Sequence, residues 1–168
     1  MQNAKDTFYE VLRERLAALN PDRTIVLRDL MRPGVLVEEN ELATDVATPD
    51  CFRLQWTKSA ADVKGDLPMV TMQCEIAYET AGTAVNAGMD RGRMLAAMDG
   101  ELLAILNEAP QKTTKMNYAG TALGKAAVVM KTNVWWGGLV FGQAEMKNDR
   151  VMRTATVEVM SYQEAGEQ

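Results

Sequence analysis

Residues 69–79 alternate apolar and polar side chains: Val70, Met72, Cys74, Ile76 and Tyr78 fall on one side, Thr71, Gln73, Glu75 and Glu79 on the other. Successive side chains point to opposite faces only in an extended chain, so the pattern describes a strand with one face on a core. Residues 51–58 repeat it, with Phe52, Leu54 and Trp56 set against Arg53, Gln55 and Thr57, and Lys64-Gly65-Asp66 supplies a turn between the two. The expectation is an antiparallel pair with Cys74 pointing inward as a small hydrophobe. A second pair is expected at the C-terminus. There residues 139–147 and 150–162 flank Asn148-Asp149, two residues that tolerate positive φ in a tight hairpin. That register sets Val140, Gly142, Ala144 and Met146 against Val157, Ala155, Arg153 and Val151, with Val159 extending the apolar side. Only Arg153 is out of character, and Lys147 falls opposite Arg150, a like-charge pair with Glu145 close by.

Two segments carry helical spacing instead. Across residues 4–19, Phe8, Val11, Leu12, Leu16 and Leu19 form an apolar stripe, Lys5, Glu10, Arg13, Glu14 and Arg15 fill the other faces, and Asn20-Pro21 stops the helix. Across residues 90–106 the stripe is Met94, Leu95, Met98, Leu102, Ile105 and Leu106. Gly100 lies in that helix's interior, where glycine costs about 1 kcal/mol against alanine, and is expected to mark a close packing contact. Residues 24–28 and 35–37 read as short extended pieces separated by Pro33-Gly34, residues 38–50 as an acidic loop or arm, and residues 163–168 as a polar, frayed tail. Residues 109–131 read as a long excursion with one strand near Val128-Val129. The sum is a single α+β domain over residues 1–168: a mainly antiparallel sheet of about four to six strands with two helices packed on one face.

Composition narrows the function. The chain has 168 residues, with 18 Lys+Arg, 23 Asp+Glu and no histidine, for a net charge of −5. An acidic domain gains little from counterion release, which argues against a dedicated nucleic-acid binder. Without histidine, serine–histidine and cysteine–histidine nucleophile pairs are excluded, along with the commonest zinc ligand. The two cysteines, Cys51 and Cys74, have the spacing of neither a zinc site nor a redox motif. No stretch reaches the roughly 18 apolar residues of a membrane span. The N-terminus lacks the basic region and apolar run of a signal peptide, so the chain is expected to stay in the compartment where it is made.

Individual motifs point weakly to chemistry. Gly120-Thr-Ala-Leu-Gly124-Lys125 has the outline of a phosphate loop, but its glycines are one residue too close and Ala126 replaces the magnesium-holding hydroxyl. Glu38, Glu39, Glu41 and Asp45 do not follow the spacing of a calcium loop, and their bland reading is a solvated linker. Arg91 and Arg93 open the second helix, where they either pair with carboxylates such as Asp90 or contact an acidic partner. Trp135 and Trp136 fall on opposite faces of an extended segment, so if one is core the other lies on a second surface, the best single hint of a protein–protein interface. The twelve methionines fall mostly at stripe positions such as Met72, Met94 and Met98, which core filling explains. The reading is of a protein without catalytic, cofactor or metal residues, not an enzyme.

The order of elements carries a resemblance. An amphipathic helix leads through short strands and an acidic loop to the strand Met72-Gln-Cys-Glu-Ile-Ala-Tyr-Glu79, then to the helix around Asp90-Arg-Gly-Arg-Met-Leu95. A hairpin ends on Ala155-Thr-Val-Glu-Val-Met-Ser-Tyr162. Over residues 4–162 this resembles the tail terminator (tail completion) proteins of long-tailed bacteriophages. The resemblance implies a small α+β subunit that assembles as a ring, typically a hexamer, in the host cytoplasm and becomes part of the virion. The ring caps the tail tube, ends its polymerisation and offers a surface to head-neck proteins. DNA would pass through it without being gripped, and the family carries no catalytic residues to transfer.

Charge suggests how such a ring closes. Residues 38–50 carry five acids and no base, whereas residues 109–144 carry Lys112, Lys115, Lys125 and Lys131 with no acid, together with Trp135 and Trp136. A ring uses two different patches per subunit, so the acidic arm of one copy is expected to meet the lysine-bearing segment of the next. Two other classes of function remain open at this point: a small ligand-binding domain with the tryptophans lining a pocket, and another virion component such as a tail-tube or neck protein.

Overall fold

The computed structural model describes residues 1–37 and 50–167. It is an α+β fold. Helix α1 (Gln2–Leu19) is followed by strands β1 (Thr24–Leu27), β2 (Leu30–Pro33) and β3 (Val35–Val37), then by the long hairpin of β4 (Phe52–Asp62) and β5 (Met69–Thr80). Helix α2 (Arg91–Asn107) leads into β6 (Lys112–Asn117), a 3-10 turn at Thr121–Leu123, β7 (Val128–Phe141), β8 (Glu145–Lys147) and β9 (Arg150–Tyr162). One sheet runs β3-β4-β5-β9-β7-β6, with β8 also on β9, and β1 and β2 form a separate two-stranded ribbon. The sheet has seven strands and is mixed, because β3 runs parallel to β4 while the other pairs are antiparallel. This corrects the expectation of a mainly antiparallel sheet of four to six strands.

The alternation at residues 69–79 has the consequence expected of it. Val70, Met72, Cys74, Ile76 and Tyr78 are buried, and β5 and β9 pair without a register shift from Met69 with Tyr162 to Thr80 with Val151. Their inward residues share one core with Phe8, Leu12 and Leu16 of α1 and with Leu95, Met98, Leu102, Ile105 and Leu106 of α2. Fully burying a side chain of this size contributes about 1.5–3 kcal/mol. At its centre Phe8 sets its ring edge-on to Trp56 and Trp136, with centroids 5.9 and 5.7 Å apart. The helical stripes match their forecast except at one end, where Leu19 is exposed.

Arg153, the charged residue on the apolar side of β9, lies opposite Tyr78 in the ladder. Asp99 of α2 reaches between them, taking a hydrogen bond from the Tyr78 hydroxyl at 2.5 Å and an ion pair from Arg153. Burial, then the hydrogen bond and charge of Asp99, push the Tyr78 hydroxyl well above the ordinary phenol range, with Arg153 opposing them. The cluster ties α2 to the two central strands.

The short strand expected at residues 24–28 is present as β1, and it turns back into β2 at Arg28 and Asp29, whose φ of 50° and 63° fit the two-residue turn that strand twist favours. Three sequence expectations are corrected. Residues 109–131 are not an excursion with one strand: β6 and β7 pair across the 3-10 turn, with Lys112 opposite Trp135 and Asn117 opposite Val128. Gly100 is exposed, with nothing within 4 Å of where a Cβ would stand, so it marks no packing contact. The tail does not fray across residues 163–167. The Glu164 carboxylate accepts the Lys131 and Thr132 N–H groups at 2.8 Å each, and Glu167 is held by Lys115.

The C-terminal hairpin turns where expected, with Asn148 and Asp149 at φ 49° and 62° and Lys147 opposite Arg150. Its register then departs from the forecast. The expected continuous strand breaks at residues 142–144, and beyond the break Phe141 faces Ala155 and Val140 faces Thr156. A one-residue slip reverses which side chains face the core. Phe141 therefore packs against the core and Val140 is exposed. Gly142 makes the break possible: its N–H donates to the Thr154 carbonyl at 2.8 Å, and an added Cβ would stand 2.7 Å from that oxygen. Gly142→Ala must push the two backbones apart. Urea unfolding is expected to show a loss of about 1–3 kcal/mol, whereas Gly100→Ala is expected to be neutral or stabilising by up to about 1 kcal/mol.

Candidate subunit interface

Several apolar side chains lie in solvent although burial in the core would stabilise the fold. In the β1–β2 ribbon Val26 lies directly opposite Met31, and Val26, Leu30 and Met31 are 65%, 69% and 74% exposed. A two-stranded ribbon is marginal alone, and apolar side chains grouped at its tip favour contact with another surface. The base of the ribbon is fixed: the Gly34 N–H donates to the Arg23 carbonyl at 2.9 Å, and the Arg23 side chain pairs with Glu101 of α2. The base of the ribbon is thus tied to α2 through Arg23.

Residues 81–90 hold a second set of exposed apolar side chains. The Asp90 carboxylate accepts the Thr83 N–H at 2.8 Å, the Thr83 hydroxyl at 2.6 Å and the Asn86 side-chain amide at 2.9 Å. Those bonds, the Thr83 hydroxyl first, hold its pKa far below the ordinary carboxylate range. Gly82, at φ 77°, has no room for a Cβ, which would lie 2.6 Å from Asp90 Oδ1. This tightly bonded loop lifts Val85 and Met89 to 95% and 88% exposure. Arg91 joins its base to the β8–β9 turn through Asp149 at 2.5 Å. Of the two pairing options for the arginines, Arg91 has a carboxylate partner, although it is Asp149 rather than Asp90, and Arg93 is exposed.

The other candidate residues are scattered. Glu38, Glu39, Glu41 and Asp45 lie outside the described residues. Trp136 is buried, its Nε1 donating to the Leu106 carbonyl at 2.9 Å, and the Arg15 guanidinium stacks 5.0 Å from its ring centroid. Trp135 lies on the opposite, uncovered face, half-buried and edge-on to Tyr162 at 5.9 Å. The two rings therefore do not share a pocket. Lys112 is exposed opposite Trp135. Lys115 is fully buried, with Nζ 2.7 Å from Glu167 and 2.5 Å from the Tyr162 carbonyl, so its charge is used inside the chain.

Three further polar residues were invisible as such in the sequence. Arg15 donates to the carbonyls of Ile105, Glu108 and Pro110 at 2.7, 2.9 and 3.0 Å, closing the C-terminal end of α2. Asp99 and Glu167 act across 54 and 52 positions of chain, and no local spacing signals such pairs. Among the described residues, no group of three or more cysteine and carboxylate side chains is placed to hold a metal, and no helix is long and apolar enough to cross a membrane.

The C-terminal clasp should be sensitive to acid. Burial pushes Glu167 up, but the Lys115 hydrogen bond, the Glu164 N–H and the Lys115 charge outweigh it, leaving its pKa below the ordinary value of 4.5. For Glu164, burial is likewise outweighed by the Thr132 hydroxyl and the Thr132 and Lys131 N–H groups, and its pKa is also lowered. Groups with depressed folded pKa values stabilise fully above their unfolded value, and that contribution fades as pH falls through the folded value. Unfolding free energy is therefore expected to drop as pH falls below about 4.5, with a shallower drop in Glu164→Gln. Glu167→Gln strands the buried Lys115 charge and should cost on the order of 3 kcal/mol at pH 7. No protein-family model matches the chain, and comparison with curated proteins finds no match.

Proposed function

We propose that this chain is a structural virion subunit that acts as a bacteriophage tail terminator. It closes into a ring that caps the tail tube, ends its polymerisation and presents a head-joining surface. The carrying observation is the ribbon, tied at its base to α2, that holds Val26, Leu30 and Met31 in solvent. Apolar side chains on such a ribbon suit insertion against a neighbouring subunit, and one patch meeting a different patch is the heterologous contact that closes rings.

Two more features support the reading. The Asp90-braced loop offers a second apolar patch, and the order of helix, short strands, long hairpin, helix and terminal strands is the one on which the resemblance rests. In this proposal the subunit assembles in the host cytoplasm, performs no catalysis and contacts tail-tube and head-neck proteins. Ring closure joins the acidic residues Glu38, Glu39 and Glu41 of one copy to the exposed Lys112 of the next, since Lys115 is already engaged with Glu167.

Reversing Glu38, Glu39 and Glu41 to lysine is expected to shift the protein from its closed oligomer to smaller species in light scattering. Lys112→Glu in the same chain should restore part of the assembly, and added salt should weaken the wild-type contact. An oligomer unchanged by the triple reversal would overturn this closure.

A further inference from the structure

The outer edge of β4 is a second place where a chain can add. β5 pairs with one edge of β4 from Arg53 to Asp62, but on the other edge, among the described residues, only β3 pairs, and it reaches from Phe52 to Leu54. Beyond that, every residue from Thr57 to Asp62 is exposed. After a bulge at Thr57 the strand resumes regular pairing, from Lys58 with Gln73 to Asp62 with Met69. Its backing is firm, because the same stretch of β5 pairs onward with β9 from Met69 with Tyr162 to Gln73 with Glu158. The last residues are Ser59, Ala60, Ala61 and Asp62, with no proline and no bulky side chain to keep another backbone away. An edge of this kind presents unpaired N–H and C=O groups as a template for a further strand.

The charge pattern selects the partner. Lys58, Ala60 and Asp62 share the uncovered face of the sheet, since their β5 partners are Gln73, Thr71 and Met69. If a second copy runs antiparallel along this edge with Ala60 opposite its own counterpart, Lys58 of each copy falls opposite Asp62 of the other. Directly opposed residues have Cβ atoms about 4.5–5.5 Å apart, within reach of an ion pair. The two-fold axis makes the pair twice, and small Ser59 and Ala61 meet on the other face. The Asp62 Oδ1 accepts the Lys64 N–H at 3.1 Å, which fixes the carboxyl at the strand end.

We propose that the β4 edges of two copies pair antiparallel about Ala60, giving a two-fold contact locked by reciprocal Lys58–Asp62 pairs. The occupant is a second copy of this chain, because the sequence of the edge is complementary to itself in that register. The contact is distinct from ring closure: it joins two protomers, or two rings, across a dyad.

The test is sedimentation equilibrium at low ionic strength on the full chain, with Lys58→Glu, Asp62→Lys and their equimolar mixture. Each variant alone faces like charges twice per contact and is expected to lose two-fold association by roughly tenfold. In the mixture the opposed charges are again unlike, so association should return to near the wild-type level. Both side chains are exposed, and an unchanged unfolding midpoint checks that the variants fold. Variants that associate like wild type, a mixture no better than its components, or a wild type that forms neither a dimer nor a doubled ring each overturn the proposal. So does stronger association of Lys58→Ala, because Lys58 would then be keeping the edge single. A ring mass that persists in both variants separates failure of this contact from failure of the ring.

Discussion

The paired strands β5 and β9 hold the molecule together. Their ladder runs from Met69 with Tyr162 to Thr80 with Val151 without a bulge, and it occupies the middle of the sheet. With the register unbroken, the inward side chains of both strands lie in one core with residues of both helices, and the remaining strands add at either side. Where a polar pair falls on the inward face, at Tyr78 and Arg153, a carboxylate from α2 reaches in and bonds the Tyr78 hydroxyl and one guanidinium nitrogen of Arg153, leaving Arg153 Nε without a hydrogen-bond partner. A shared carboxylate offsets much of the cost of burying such groups, and it ties α2 to the sheet.

This spine was legible because its chemistry is periodic. The alternation in β5, the stripes of both helices and the Asn148-Asp149 turn are local signals, and each corresponds to the element it predicts. Other parts were hidden for physical reasons. Arg28-Asp29 adopts the positive φ of a hairpin turn without the asparagine or glycine that announces one. Strands β6 and β7 carry bulges that break their alternation, between Thr114 and Met116 and between Gly137 and Val140. In the C-terminal hairpin the turn was readable, but the backbone contact of Gly142 with Thr154 was not, and it reverses the facing of Val140 and Phe141.

The candidate interface was less legible than the fold. A lysine in a basic segment reads as surface, yet Lys115 is buried because a carboxylate 52 residues away closes over it. The adjacent tryptophans do divide between core and second surface, as an extended backbone requires. The exposed apolar side chains of the ribbon and of residues 81–90 had no signal of their own. Their exposure follows from turns and braces assembled from distant parts of the chain, Arg23 with Glu101 and Arg91 with Asp149 among them.

In the proposed function, the exposed apolar side chains of the ribbon and of residues 81–90, together with the β4 edge, are the surfaces through which copies would assemble. The central claim is that copies of this chain close into a discrete ring. Native mass spectrometry of the purified protein across a wide concentration range tests it most directly. The account predicts one closed oligomer near six subunits, with at most its face-to-face doubling. A monomer at every concentration would contradict it, and so would an open ladder of masses, which belongs to a polymerising tube.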